Sequence, residues 1–300
     1  MLLQKIRGRS EAEMARFIEG EAKVFISTSP ANRLPFTKDD IIFDEPLVQF
    51  ADGDDPIFTD YKTIIAPTHL TPRQALARAY SKTPEDMPAR LSVISWILPI
   101  ADKTRKSNRN EALIPTRRWA YTRWYGEKFN DALRRHLVEI LAEIGYLAAA
   151  PILQPYFSID TNKQGDYSNW SERHIAYAAG LGTFSLGGSL ITERGVAHRC
   201  GSVVTDLALP ASPRTAENPY SNCLFYTDDS CKACIVRCPA TAITEKGQDK
   251  VKCERYMHND IVYLRKEYEV GIVGCGLCQT KVPCESCNPV KNSHSKRNNG

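Results

Sequence analysis

All ten cysteines of this 300-residue chain lie after residue 199, at positions 200, 223, 231, 234, 238, 253, 275, 278, 284 and 287. Roughly two thirds of the sequence therefore carries no thiol. A disulfide framework needs an oxidising compartment and usually a small secreted chain. The start, MLLQKIRGRSEAEM, has neither an apolar signal core nor twin arginines, so the protein is expected in the cytoplasm with its thiols reduced and binding metal. Charge adds little: 39 Lys+Arg against 35 Asp+Glu leaves +4, too slight to argue for nucleic acid. The longest apolar run, LSVISWILPI at 91–100, has the length of a buried strand rather than a membrane span.

The run Cys231-Lys-Ala-Cys234-Ile-Val-Arg-Cys238-Pro239, followed by Cys253, Cys275-Gly-Leu-Cys278 and Cys284, resembles a two-cluster bacterial ferredoxin. In that pattern three closely spaced thiolates hold one [4Fe–4S] cluster and the cysteine before proline crosses to the other. The resemblance implies one set of Cys223, Cys231, Cys234 and Cys284 and a second of Cys238, Cys253, Cys275 and Cys278. The first expected position holds Asp228; Cys223 substitutes if the intervening loop bulges, and Asp228 and Cys287 are the alternatives. A pair of zinc sites, each held by four cysteines and also built on C-x2-C knuckles, is the competing reading. Cys200 reads as a small buried hydrophobe.

Upstream, Ser10 and Glu13 form a capping-box signature and Gly20 a helix stop, which predicts a helix over 11–19 followed by a strand at AKVFIST. Asp55-Pro56 and Thr71-Pro72 are helix starts. LSVISWILPI reads as a central strand. Phe129, Leu133, Leu137, Ile140, Leu141 and Ile144 form one apolar face of a long helix from Pro115 toward Gly145. LAAAPIL, SLIT and SVVTDLAL read as strands, and a helix is expected near 172–180. The expected class is α+β: an α/β-like domain over 1–210, a double-cluster ferredoxin-like domain over 211–290, and a disordered tail at 291–300.

The segment Ala179-Gly-Leu-Gly182-Thr-Phe-Ser-Leu-Gly-Gly-Ser-Leu-Ile-Thr192, then Gly201-Ser-Val-Val-Thr-Asp206 and the cysteine region, is similar to the epoxyqueuosine reductase and reductive dehalogenase superfamily. Arg118-Trp-Ala-Tyr-Thr-Arg-Trp-Tyr-Gly126 resembles that family's entrance into a long helix. The resemblance implies cobalamin beside two [4Fe–4S] clusters, with Ala179, Gly180, Leu181, Gly182, Ser185 and Thr192 against the corrinoid. It further implies an iron–sulfur, corrinoid-dependent reductase that passes low-potential electrons from a ferredoxin or flavodoxin to an electrophilic small molecule or modified nucleoside. The alternative is an electron carrier or corrinoid-reactivating protein without its own substrate. The family's proton donor falls on Asp160, with Asp166 as competitor; the dehalogenase branch's tyrosine makes Tyr156 and Tyr167 candidates. The sequence ends 13 residues after Cys287, so the helical repeats that help hold tRNA are not expected, and tRNA is the weaker partner. Lys103, Arg105, Lys106, Arg109, Arg117, Arg118 and Arg123 form a basic stretch, read as a solvated face or as a contact for ligand phosphate.

Overall fold

The computed structural model describes residues 8–37 and 40–292. Helix α1 spans Glu11–Thr28 and opens on the reciprocal Ser10/Glu13 capping box. It does not stop at Gly20, and AKVFIST is its second half rather than a strand. Met14, Ile18, Ala22 and Ile26, four residues apart, form one buried stripe. Burying its second half outweighs the roughly 1 kcal/mol that an interior glycine costs.

Strand β1 (Leu47–Asp52) is followed by α2 (Ile57–Ile64) and α3 (Pro72–Ala79). Asp55 accepts from the Ile57 N–H at 3.0 Å, and Thr71 and Gln74 cap α3 reciprocally. Strand β2 (Ser92–Pro99) is buried at all eight positions. After α4 (Asp102–Arg109) comes the long α5 (Arg117–Glu143), started by Thr116, whose hydroxyl accepts from Trp119 N–H at 3.1 Å. Its predicted apolar face is buried as read, with Ile144 just beyond its end. LAAAPIL gives only the two-residue β3 (Ala148–Ala149) before Pro151, which has no N–H for a ladder, begins a 3-10 turn.

Then follow the hairpin β4 (Ile159–Asn162) and β5 (Gly165–Ser168), α6 (Glu172–Ala178), the hairpin β6 (Gly182–Phe184) and β7 (Leu190–Thr192), and β8 (His198–Thr205). The main sheet has the order β1-β2-β8-β3 and every pair is antiparallel. The mixed class holds, but the α/β-like expectation is corrected: no parallel crossover builds this sheet. Helices α1 and α5 cover one face around Trp96 and Phe129, while α2, α3 and α6 cover the other around Val93 and Trp170.

The thiol-bearing segment has short elements: α7 (Leu224–Asp228), α8 (Ala233–Val236), the hairpin β9 (Ile243–Thr244) and β10 (Gly247–Gln248), α9 (Lys250–Arg255), a π turn over Tyr256–Asp260 and α10 (Leu264–Tyr268). It is bound to the chain before β8 by Val196 N–H donating to the Cys284 carbonyl (2.8 Å) and Ala197 N–H to that of Glu285 (3.1 Å). Of the tail expected to be disordered, Lys291 and Asn292 are helical instead, and from 293 on it lies outside the described residues. Among the described residues no helix is long and apolar enough to cross a membrane.

Candidate redox site

Cys223 caps α7, and Asp229 adopts a left-handed backbone (φ 52°) at that helix's end. This single helical turn brings Cys223 back beside the C-x2-C pair. Cys223, Cys231, Cys234 and Cys284 line one cavity, walled by Leu186, Ile191, Val196 and Val282. Burial pushes the Cys234 thiol up to about 11, and the neighbouring charges of Cys223 and Cys231 add to it. Burial, and the charges of Cys223, Cys234 and Cys231, raise Cys284 as well. The alternatives for this set are placed elsewhere. Asp228 is exposed, accepting from the Ser230 N–H and hydroxyl, and the Cys287 thiol donates to the Pro283 carbonyl.

Cys238, Cys253, Cys275 and Cys278 line a second, larger cavity of about 210 Å³, against about 20 Å³ for the first. Burial holds Cys278 well above its ordinary value, and the charges of Cys275, Cys253 and Cys238 add to it. Burial pushes Cys275 up to about 12. Cys278 lines both cavities, so the two sets are neighbours through one side chain. The cavities keep seven of the eight thiols in the sets that the crossing arrangement implies, with Cys278 on both. The thiols stand around voids: among the described residues no three His, Cys, Asp or Glu converge to hold a single ion. Cys200 joins neither set. It lies on β8 with its sulfur 3.6 Å from His198 Nδ1, in a polar cavity that shares Arg173, His198 and Arg199 with the second thiol cavity, and burial pushes its thiol up to about 12.

The sequence missed Glu285, three per cent exposed beside Cys284. Its carboxylate accepts from Arg109 Nε at 2.9 and 3.0 Å and from Lys281 N–H at 2.7 Å, and lies 3.5 Å from Arg105 Nε. Most of the basic stretch is committed to such pairs: Lys103 and Arg118 on Asp40, Lys106 on Asp102, Arg105 and Arg109 on Glu285. Of the seven residues, Arg123 is the one that lines the second thiol cavity.

A cleft of about 850 Å³ adjoins both thiol sets. Its walls are aromatic and aliphatic, with Tyr61 and Ile64 from α2, Tyr177 from α6, Phe184 from β6, and Tyr220 and Tyr226 from the thiol segment. Ser185 and Leu186 line both the cleft and the first thiol cavity; Arg173 and Gln248 line both the cleft and the second. One layer of side chains therefore separates the cleft from either set. Burial, reinforced by the Arg173 charge, holds the His174 imidazole down to about 3, so it faces the cleft neutral.

The glycine-rich segment serves packing more than the cleft. Ala179 is in the core, while Gly180, Leu181 and Gly182 line a side cavity of about 230 Å³. Gly182 pairs with Thr192 across the β6–β7 hairpin, where a Cβ would stand 2.2 Å from the Ile191 carbonyl oxygen. Thr192 is buried and its hydroxyl donates to the Gly195 carbonyl. Of the six residues expected against a cofactor, Ser185 lines the cleft, joined by Phe184, Leu186 and Gly188. Gly182→Val should therefore lower the thermal unfolding midpoint of the cofactor-free protein. An unchanged midpoint would mean that the hairpin accommodates the side chain.

Asp160 is exposed on β4, accepting from the Ser158 hydroxyl at 3.2 Å. It lies directly opposite Tyr167, which lines the cleft, and opposed residues of an antiparallel pair share a face. Asp166 accepts from the Thr161 hydroxyl and its N–H donates to Glu254. Tyr156 is not brought to the cleft; its hydroxyl donates to the Ala75 carbonyl at 2.8 Å and burial raises its pKa.

No known protein family and no curated protein matches the sequence. Among solved structures, the fold is similar to that of a catabolic reductive dehalogenase variant, at 13% identity over 83% of this chain and 31% of that one, with a TM-score of 0.50. Epoxyqueuosine reductase from Bacillus subtilis is found at 14% identity over 92% of this chain and 66% of that one, with a TM-score of 0.49. Epoxyqueuosine reductase with an epoxyqueuosine-modified tRNA-Tyr stem loop is found at 16% identity over the same shares, also at 0.49. The chain spans just under two thirds of the length of these epoxyqueuosine reductases.

Proposed function

We propose that the protein is an iron–sulfur reductase in which each thiol quartet holds a [4Fe–4S] cluster and the large cleft takes a corrinoid next to an electrophilic substrate. The observation that carries the reading is the shared wall. A ligand-sized cleft abuts two cysteine-lined cavities that themselves meet at Cys278. The donor sets fit clusters: both cavities are lined by cysteines, the ligands that iron–sulfur clusters require. The cleft fits a large flat ligand with amide arms. It lies at the upper end of ligand-pocket volumes, its walls are aromatic, and Asn162, Gln164 and Gln248 supply complementary amides.

When bound, the clusters supply single low-potential electrons and the corrinoid supplies a nucleophilic metal. The chain's own residues do the rest. Cys278 joins the two sets, and Ser185, Leu186, Arg173 and Gln248 keep the electron path to the cleft one side chain thick. Tyr61, Tyr177 and Phe184 exclude water from the ligand. The proton comes from the β4–β5 hairpin, with Tyr167 at the cleft and Asp160 across from it at the rim. The electron donor is a low-potential carrier and the substrate a small molecule or modified nucleoside.

Anaerobic reconstitution with cobalamin, followed by absorbance and gel filtration, tests this. About one corrinoid per chain is expected. Tyr177→Ala, which strips a cleft wall but touches neither thiol cavity, should weaken binding about tenfold and leave iron unchanged. Two intact clusters with no corrinoid binding would make the protein an electron carrier instead.

A further inference from the structure

The two thiol cavities differ sharply in charge. The first is lined, apart from its cysteines, by Ser185 and apolar side chains such as Leu186, Val196 and Val282, with no charged residue. The second is lined by three guanidinium groups, Arg123, Arg173 and Arg199, and by no carboxylate. A fourth, Arg237, follows in the chain just before Cys238. It is held by the carbonyls of Leu277, Thr280, Glu111 and Asn108, and its charge acts on Cys275.

These cations are incompletely neutralised. Glu127 is the carboxylate next to them, and three arginines share it: Arg199 in close contact, Arg134 at 3.1 Å and Arg123 at 3.6 Å. Burial works against its ionisation, but the arginine charges outweigh this and hold Glu127 well below the usual carboxylate range. Arg173 makes one hydrogen bond, to the Gly188 carbonyl at 2.5 Å, and no ion pair to it is found among the described residues. Its more distant electrostatic partners are the thiols Cys200, Cys253 and Cys278, with the cations Arg199 and Lys250 opposing them. The Arg199 charge, helped by burial, pushes Arg123 down to about 9, which leaves it cationic at neutral pH.

Resting on the two-cluster reading, we infer that the cluster at Cys238, Cys253, Cys275 and Cys278 is the more easily reduced of the two, and that Arg123 and Arg173 set the difference. Each cluster takes one electron from an external reductant and gains one negative charge. A nearby guanidinium favours that reduced form, whereas the apolar first cavity provides no compensating charge. The electron then rests on the second set, which shares Arg173 and Gln248 with the cleft, and the first set is the relay that feeds it.

An EPR-monitored dithionite titration of the cluster-loaded protein, with redox mediators, tests this without any turnover. Two one-electron steps are expected, and the step at higher potential should be missing in Cys253→Ala. Arg123→Gln and Arg173→Gln should each move that step at least about 59 mV lower, a tenfold change in a one-electron equilibrium, and leave the other step in place. Arg173→Lys, which keeps the charge, should recover most of the shift and guards against a general loss of fold. A single unsplit step, a higher step that survives Cys253→Ala, or arginine variants that move both steps equally would overturn the inference while leaving the two-cluster reading intact. Protein that binds no iron would overturn both.

Discussion

Cys231→Ala, Cys234→Ala, Cys284→Ala and Cys223→Ala should each remove roughly half of the iron of anaerobically prepared protein and abolish the same reduced EPR signal. Cys238→Ala, Cys253→Ala, Cys275→Ala and Cys278→Ala should remove the other half and the other signal. For seven of the eight this follows from the one cavity each thiol lines; Cys278, which lines both, goes with Cys275 of its C-x2-C pair, and a [4Fe–4S] cluster needs four thiolates. Cys223 is the informative member because its distance along the chain does not match the ferredoxin spacing. Asp228→Ala, Cys287→Ala and Cys200→Ala should retain full iron, since these side chains are directed to Ser230, Pro283 and His198. Iron loss in Asp228→Ala or Cys287→Ala with normal iron in Cys223→Ala would reassign the first set.

The second large effect concerns the buried charge cluster under the site. Arg134 is one per cent exposed and donates to Glu127 (3.1 Å), Asp131 (2.7 Å), Glu172 (3.0 Å) and the Cys200 carbonyl (3.2 Å). Arg134→Ala should cost about 3–5 kcal/mol, because it strands the buried Glu172 and unpairs the half-buried Asp131. The urea midpoint at fixed iron loading measures it; a loss below about 1 kcal/mol would put Arg134 among ordinary surface pairs. The loss should depend on pH. Burial already raises Glu172 above the usual carboxylate range. A carboxyl whose folded pKa is raised stabilises the fold below its unfolded pKa and loses that contribution as pH rises through the folded one. The variant's deficit should therefore shrink as the pH is lowered toward the carboxylate range.

That most of the thiols gather in two places was legible from sequence, because the short C-x2-C and C-x3-C spacings keep those cysteines close together. The return of Cys223 was expected on the condition of a bulging loop, but its form, the one-turn helix Leu224–Asp228 ending on the left-handed Asp229, was not, because neither residue type demands those conformations. In α1 the Gly20 stop signal was overridden by tertiary burial, as the four-residue spacing from Met14 to Ile26 already allowed. The antiparallel sheet was hidden because alternating helices and strands do not specify strand direction. The cleft was the least legible part. Tyr61, Tyr177, Tyr220 and Lys250 come from segments far apart in the chain, and each is unremarkable in its own surroundings. Gly180 and Gly182 drew attention as ligand contacts, yet their missing side chains make room for the Pro213 and Ile191 carbonyls.

The central claim is that two cysteine-lined cavities, joined at Cys278 and opening toward one cleft, hold iron–sulfur clusters. Its most direct test is the metal and acid-labile sulfide content of protein purified without oxygen, read together with its EPR spectrum after dithionite. The account predicts about eight iron and about eight sulfide per chain and two overlapping reduced-cluster signals. About two zinc per chain with no sulfide and no signal would contradict it.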